Sequence, residues 1–196
     1  MHEEITKKDR KWHSIVTISG SLRKRSFNTA LMRSLPALAP AARDLSEAPP
    51  YDRMPLYNAD IQSVGFPADV ITFADAIRNA DGVIIVSPEY NWTIPGGLKN
   101  ALDWVLRLEN QPFRDKPVAI QSATGGPLGG ARMQYHLWMA LTFLNATIFG
   151  MPEVFVGLAQ TKFEGGVLKD EPTKKVVADR LAAFAKFIAR AKASSC

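Results

Sequence analysis

The 196-residue chain has one cysteine, Cys196, at its far end. No disulfide can form within it, and a cysteine-built zinc module is excluded. Histidine is almost as scarce: His2, His13 and His136 are scattered, with no pair one helical turn apart to grip a metal. Long hydrophobic runs are also missing. The greasiest stretch, residues 136–151, is interrupted by Asn145 and falls short of the ~20 apolar residues that a bilayer crossing needs, so no membrane partner is expected. Residues 1–11 are polar and lack the apolar segment of a secretory leader, and the expected setting is the reduced cytoplasm. No Ser/His/Asp triad and no acid–base carboxylate pair is apparent.

What is present describes an ordinary globule, 46% hydrophobic and 22% charged. The division expected is a tail over residues 1–12 and a single domain over residues 13–196. The net charge is +5, much of it in Lys7, Lys8, Arg10 and Lys11 of the tail and in the run Arg23-Lys24-Arg25. No zinc-finger spacing or RNA-binding aromatic signature accompanies these cations, so nucleic acid is not the expected partner.

Strand and helix patterns alternate along the chain. Residues 14–19 are rich in β-branched side chains and stop at Gly20; residues 28–38 carry Leu31, Leu35 and Leu38 at helical spacing. A short strand is expected at 43–46. The stretch 48–67 holds Pro49, Pro50, Pro55 and Pro67 and reads as a long loop. Val70, Ala74 and Ile77 mark the next helix, followed by the apolar run 82–87, a central parallel strand covered on both faces. Helices at 97–108, 130–144 and 173–191 and strands at 117–122 and 153–156 complete the series. The pattern predicts a doubly wound α/β sheet, in which ligands bind beyond the carboxyl ends of the strands.

Three loops lie at those ends. The first, Ser19-Gly20-Ser21-Leu22-Arg23-Lys24-Arg25-Ser26-Phe27-Asn28, runs from strand to helix with hydroxyls and cations. Free N–H groups at a helix start attract an anion. The loop is neither a dinucleotide fingerprint nor a Walker motif. It reads either as a monophosphate clamp or as an ordinary capped turn beside surface cations. The second, residues 87–97, has Pro88, Pro95, Gly96 and Gly97 to fix bare backbone, and Tyr90 and Trp92 to offer planar faces. It suits a flat heteroaromatic ring, or else a rigid cover for the core. The third has four glycines between Gly125 and Gly130, where a ligand can approach the main chain.

These residues resemble the NAD(P)H-dependent FMN reductases, and within them the chromate/quinone reductase branch. The likeness is carried by Gly20-Ser21-Leu22-Arg23 with Ser26-Phe27-Asn28, by Pro88-Glu89-Tyr90-Asn91 with Ile94-Pro95-Gly96, Leu98-Lys99-Asn100-Ala101 and Asp103-Trp104, and by Gly129-Gly130-Ala131-Arg132 with Gln134-Tyr135-His136-Leu137. It runs over about residues 13–190. Arg25 stands where the family often has a small residue, and Trp92 where tyrosine is common.

The resemblance implies a flavodoxin-like fold, a five-stranded parallel sheet of order 2-1-3-4-5 with helices on both faces. It implies bound FMN, NADH or NADPH as hydride donor, and two-electron reduction of quinones, chromate or other small acceptors in alternating turns at one cleft. Carried over, Ser21, Arg23, Ser26 and Asn28 hold the phosphate and ribityl end. Pro88, Glu89, Tyr90 and Asn91 line the isoalloxazine, and Ser122, Gly125 and Gly126 close its other side. No catalytic nucleophile is named, because the cofactor carries the chemistry. Trp92 and Arg107 are candidates for the substrate.

Two other readings share the fold: an FMN reductase that releases reduced flavin to a partner, and a flavodoxin-type electron carrier, which the basic charge disfavours. Helix 130–144 is apolar around more than one face, through Leu137, Trp138, Met139, Leu141, Phe143 and Leu144. It is expected to be wholly buried or to meet another subunit. A homodimer or homotetramer is expected, with Arg132, Tyr135 and Glu153 in the contact. His136 is expected to be a hydrogen-bonded packing residue.

Overall fold

A computed structural model describes residues 13–39 and 44–193. The tail at 1–12, Arg43 and Cys196 lie outside the described residues. The elements in order are β1 (Ser14–Ser19), α1 (Phe27–Leu38), β2 (Asp44–Glu47), α2 (Ala59–Ser63), α3 (Ala68–Asn79), β3 (Gly82–Val86), α4 (Gly96–Leu106), β4 (Pro117–Ala123), α5 (Ala131–Phe143), β5 (Thr147–Phe149), β6 (Phe155–Val156), β7 (Phe163–Glu164), β8 (Val167–Leu168) and α6 (Glu171–Ala193).

The main sheet is parallel, with the path β2-β1-β3-β4-β5. This is the order that the resemblance implies. β3 is central because every one of its residues is buried, while the polar β2 lies at the edge with only Leu45 partly covered. Although β3 shows no polar alternation in sequence, its side chains still alternate in space. Val83 and Ile85 enter one core with Phe73, Ile77, Leu102 and Trp104, on the side of α3, α4 and α5. Ile84 and Val86 enter the other with Leu31, Leu35, Phe184 and Ile188, on the side of α1 and α6. Two covered faces are what a continuous apolar strand needs.

Two expectations are corrected. The prolines of 48–67 do not exclude helix altogether: Asn58 caps α2, its side chain accepting from the Asp60 amide at 2.8 Å. The last strand expected at 153–156 is a two-residue piece, β6, and the fifth strand of the path is β5, upstream. Both lie on the same edge of β4: β5 pairs with Pro117 to Ala119, and β6 with Ser122 and Ala123. In the break between them Arg180 of α6, 2% exposed, donates to the carbonyls of Ile120 at 2.8 Å and Phe149 at 3.2 Å. A side chain does there what a ladder would have done. Burial lowers the Arg180 pKa to about 10. Finally, the outer face of α5 is uncovered within the subunit: Tyr135, Trp138, Met139 and Phe143 are exposed.

Candidate functional site

The carboxyl ends of β1, β3 and β4 finish in one row. Ser19 pairs with Val86, and Val86 with Gln121. The row continues past the strands: the Gly20 amide donates to the Val86 carbonyl at 2.9 Å and the Ser87 amide to the Gln121 carbonyl at 3.0 Å. The three loops singled out in the sequence therefore leave the sheet side by side.

The first loop turns into α1. Ser26 caps the helix, its Oγ accepting from the amides of Asn28 at 3.2 Å and Thr29 at 3.4 Å. Ser21 Oγ accepts from the Arg23 amide at 3.3 Å. Each hydroxyl still has its own proton to donate. Arg23, Lys24 and Arg25 are exposed, and the first turn of α1 holds no acidic residue to oppose an anion. This donor set fits a phosphate monoester.

Asn28 is corrected. It is 3% exposed; its amide nitrogen donates to the Ala123 carbonyl at 2.8 Å, and its oxygen accepts from the Ala123 amide at 2.8 Å. Both ends of the side chain are occupied in tying α1 to the tip of β4.

The second loop is a miniature hairpin. Tyr90 and Thr93 exchange backbone bonds of 3.1 and 2.9 Å around Asn91 and Trp92, whose φ values are 47° and 67°. That is the primed-turn geometry that suits a right-twisted pair. Pro88 and Pro95 are buried at its two ends, while Tyr90 and Trp92 are 45% and 67% exposed, so both rings face open space.

The first turns of α5 hold this hairpin. Glu89, whose side chain is 8% exposed, accepts from Arg132 Nε at 2.8 Å and from the Met133 amide at 3.3 Å. The Arg132 guanidinium lies 4.6 Å from the centroid of the Trp92 ring. His136 Nδ1 and Thr93 Oγ1 are 2.8 Å apart, so the exposed His136 is hydrogen-bonded, though at the surface. With its carboxylate engaged in this way, Glu89 is a positioning residue.

The third loop exposes Gly125 and Gly126 as bare backbone. Behind it Gly129 adopts φ 61°, and a methyl group there would come within 2.6 Å of the Phe155 carbonyl carbon. Ser122 lies behind the loop: it is 0% exposed, donates to the Gly129 carbonyl at 2.5 Å and accepts from Gln134 Nε2 at 2.6 Å. It shapes the glycine wall without forming its surface.

Arg107 lies farther from the hairpin. α4 starts beside the hairpin at Gly96, and eleven helical residues carry the chain about 16 Å before Arg107 follows. There its guanidinium sits 4.8 Å from the Tyr57 ring centroid. Arg132, expected at a subunit contact, is committed within the chain to Glu89 and Trp92. Tyr135 and Glu153 do meet, with Tyr135 Oη donating to Glu153 at 3.1 Å on an exposed surface.

One wall was not read from the sequence. Tyr51, in the proline-rich stretch after β2, is 6% exposed and donates to the Ser19 carbonyl at 2.8 Å. Burial pushes its pKa up, helped by Tyr90 and Asp52 nearby. A cavity of 520 Å³ opens beside it, reaching Ser21, Arg23, Arg33 and Glu47. A lone tyrosine among prolines gives no periodic signal to find it by.

A phosphate-accepting loop, a hairpin with open aromatic faces and a wall of bare backbone stand on one edge of the sheet. A family model described as NADPH-dependent FMN reductase matches residues 13–161. The chain belongs to the NADPH-dependent FMN reductase family. Among proteins similar to it is a quinone reductase of Escherichia coli K12, 48% identical over 181 residues, covering 91% of this chain and 96% of that protein. An NAD(P)H-dependent FMN reductase of Pseudomonas aeruginosa is 39% identical over 177 residues, covering 90% of this chain and 95% of that one. Among solved structures, the flavoenzyme NAD(P)H:(acceptor) oxidoreductase FerB of Paracoccus denitrificans superposes with a TM-score of 0.81 at 31% identity, covering 91% of this chain and 98% of that chain. This FMN reductase family member has, among its described residues, no helix long and apolar enough to cross a membrane and no cluster of potential metal ligands.

Proposed function

We propose that the chain is an NAD(P)H-dependent flavin oxidoreductase that uses FMN to pass two electrons to quinones and other small acceptors. The observation that carries this reading is the convergence of the three loops on one row of strand tips, in a chain of this family. Ser21, Arg23, Ser26 and the amides at the start of α1 hold the phosphate. Main chain at Pro88, Glu89, Tyr90 and Asn91 borders the ring, and Gly125 and Gly126 form the opposite wall. Bound FMN supplies the redox chemistry, taking a hydride from the reduced nicotinamide and giving two electrons to the acceptor.

The protein's own part is to bind and orient. Arg132 and Glu89 tie the hairpin that carries Tyr90 and Trp92 to the first turns of α5. A slot open at the Trp92 side admits first the nucleotide and then the acceptor, in alternating turns. The exposed cations of the first loop favour an anionic acceptor such as chromate as well as neutral quinones. A reduced cytoplasmic setting fits the same reading.

Tyr135, Trp138, Met139 and Phe143 present one exposed apolar face of α5, which a second copy would cover in a homodimer or homotetramer.

The test is the visible spectrum of the purified protein, followed by anaerobic addition of NADPH or NADH and then of a quinone. A flavin spectrum that bleaches with the nucleotide and returns with the quinone is expected. Colourless protein that fails to retain added FMN on gel filtration overturns the reading.

A further inference from the structure

The 520 Å³ cavity beside Tyr51 is lined by no residue of the hairpin or of the glycine wall; it shares Ser21 and Arg23 with the first loop and extends from there toward the end of β2. Its floor is already closed by hydrogen bonds. Tyr51 Oη donates to the Ser19 carbonyl at 2.8 Å, Ser19 and Thr29 hydroxyls are 2.8 Å apart, and the Ala48 amide donates to the Thr17 carbonyl at 2.8 Å. Its rim is charged. Arg23 and Lys24 come from the loop, Arg33 from the second turn of α1, and Glu47 and Asp52 from the far side. Pro49, Pro50 and Tyr51 add flat apolar surface between them.

The cavity adjoins the ring slot. A methyl group on Gly97, at the start of α4, would touch Leu22 at 3.3 Å and Tyr51 at 3.5 Å, and both are cavity residues. A dinucleotide whose nicotinamide enters the slot needs a place for its other, anionic end, and this is a charged, partly apolar hollow at the slot's side.

We infer that this cavity receives the adenylate end of NADPH, with Arg33 binding the phosphomonoester on the adenylate ribose. The inference rests on the reading of the slot as a nicotinamide and flavin site, and it deepens that reading by naming the residue that separates NADPH from NADH. Glu47 accepts only the Arg33 Nε–H, at 2.9 Å, and leaves the terminal amino groups of the fork to a ligand. That arrangement fixes the plane of the guanidinium without using it up. A phosphomonoester carries close to two negative charges at neutral pH, and a planar fork matches its oxygens better than an ammonium would. NADH has a hydroxyl at that position and gains nothing from the fork.

The test is calorimetric titration of the purified protein with adenosine 2′,5′-bisphosphate, adenosine 5′-monophosphate and inorganic phosphate, with flavin content recorded for each sample. The bisphosphate is expected to bind about tenfold more tightly than the monophosphate, the scale of one charge-assisted contact. Arg33→Ala should abolish that difference and leave flavin content and thermal midpoint unchanged, because the Arg33–Glu47 pair is exposed and contributes little to the fold. Glu47→Gln, which keeps an acceptor for the Arg33 Nε–H and removes a negative charge facing the phosphate, should keep or widen the difference. In steady state Arg33→Ala should raise KM for NADPH about tenfold with KM for NADH unmoved. Equal binding of the two adenosine nucleotides overturns the inference, as does an Arg33→Ala protein that keeps the preference, or displacement of the bisphosphate by an equal concentration of inorganic phosphate. A colourless protein would defeat the flavin reading alone, since the titration needs no flavin.

Discussion

Gly20 and Ser87 press against each other where β1 and β3 end: a methyl group on Gly20 would lie 2.9 Å from the Cα of Ser87. The same glycine donates its amide to the Val86 carbonyl, so neither strand can move aside without breaking the row of tips. Two of the three loops therefore start from a contact that only glycine allows.

Gly20→Ala is expected to cost about 1–3 kcal/mol through overpacking and to displace the first two loops relative to each other. Thermal melting should show the loss of stability, and flavin absorbance per chain should fall with it. A variant with wild-type melting and full flavin content would show that the contact yields.

Asn28 and Ala123 give a second test of the same row. Asn28→Ala leaves a buried amide and a buried carbonyl unpaired, each at about 1–3 kcal/mol. Asn28→Asp keeps the acceptor, loses the donor and buries a charge beside the Ala123 carbonyl, so it should be at least as damaging. Urea unfolding midpoints should drop for both. A stable Asn28→Ala protein that loses only flavin would return Asn28 to the ligand.

At the opposite end of the sheet Asp81 accepts from Lys192 Nζ at 2.7 Å and from the Ser14 amide at 3.0 Å. Burial alone would raise its pKa; the bond from Lys192, the Ser14 amide and the charges of Lys192 and His13 outweigh it and hold the carboxyl below the usual range. A depressed folded value stabilises the protein above the unfolded-chain pKa of about 3.9, and the gain fades as pH falls through the folded value. Asp81→Asn should thus cost about 1 kcal/mol at pH 7, since Lys192 is partly exposed, and its midpoint should converge on the wild type once pH has fallen below the folded value. Chemical unfolding across that range checks the sign.

Arg180 replaces ladder bonds in the gap between β5 and β6. Arg180→Ala orphans the Ile120 and Phe149 carbonyls and leaves a cavity beside the Phe149 ring, for an expected loss of about 2–4 kcal/mol. Hydrogen exchange should show faster opening of β5 and β6 before β1 and β3.

The exposed face of α5 is tested by charge. Met139→Glu with Phe143→Glu should leave flavin content intact and reduce the mass in light scattering to that of one chain. A wild-type protein that already runs as one chain would remove the proposed assembly.

Much of the fold was legible because its information is local. The β-branched runs ending at Gly20 and Ser87, the helical spacing of Leu31 and Leu35, and the capping hydroxyl of Ser26 each act within a few residues of themselves. The three loops were legible for the same reason: glycine, proline and hydroxyls declare a turn or a helix start wherever they stand. Which of their atoms face a ligand was not. Ser122 and Asn28 have the right chemistry for a phosphate or a ring, yet their polar groups are spent on Gly129, Gln134 and Ala123, residues 7 to 95 positions away. Arg107 has the right charge and the wrong end of a helix. Tyr51 and the splitting of the last strand into β5 and β6 depend on contacts between distant segments, which no local pattern encodes. Sequence alone determined the alternation of elements and the row of loops, because propensity and burial period are properties of short stretches. Only the tertiary structure decided which polar atoms are left for a ligand, because a hydrogen bond belongs to two residues and its second partner is set by packing.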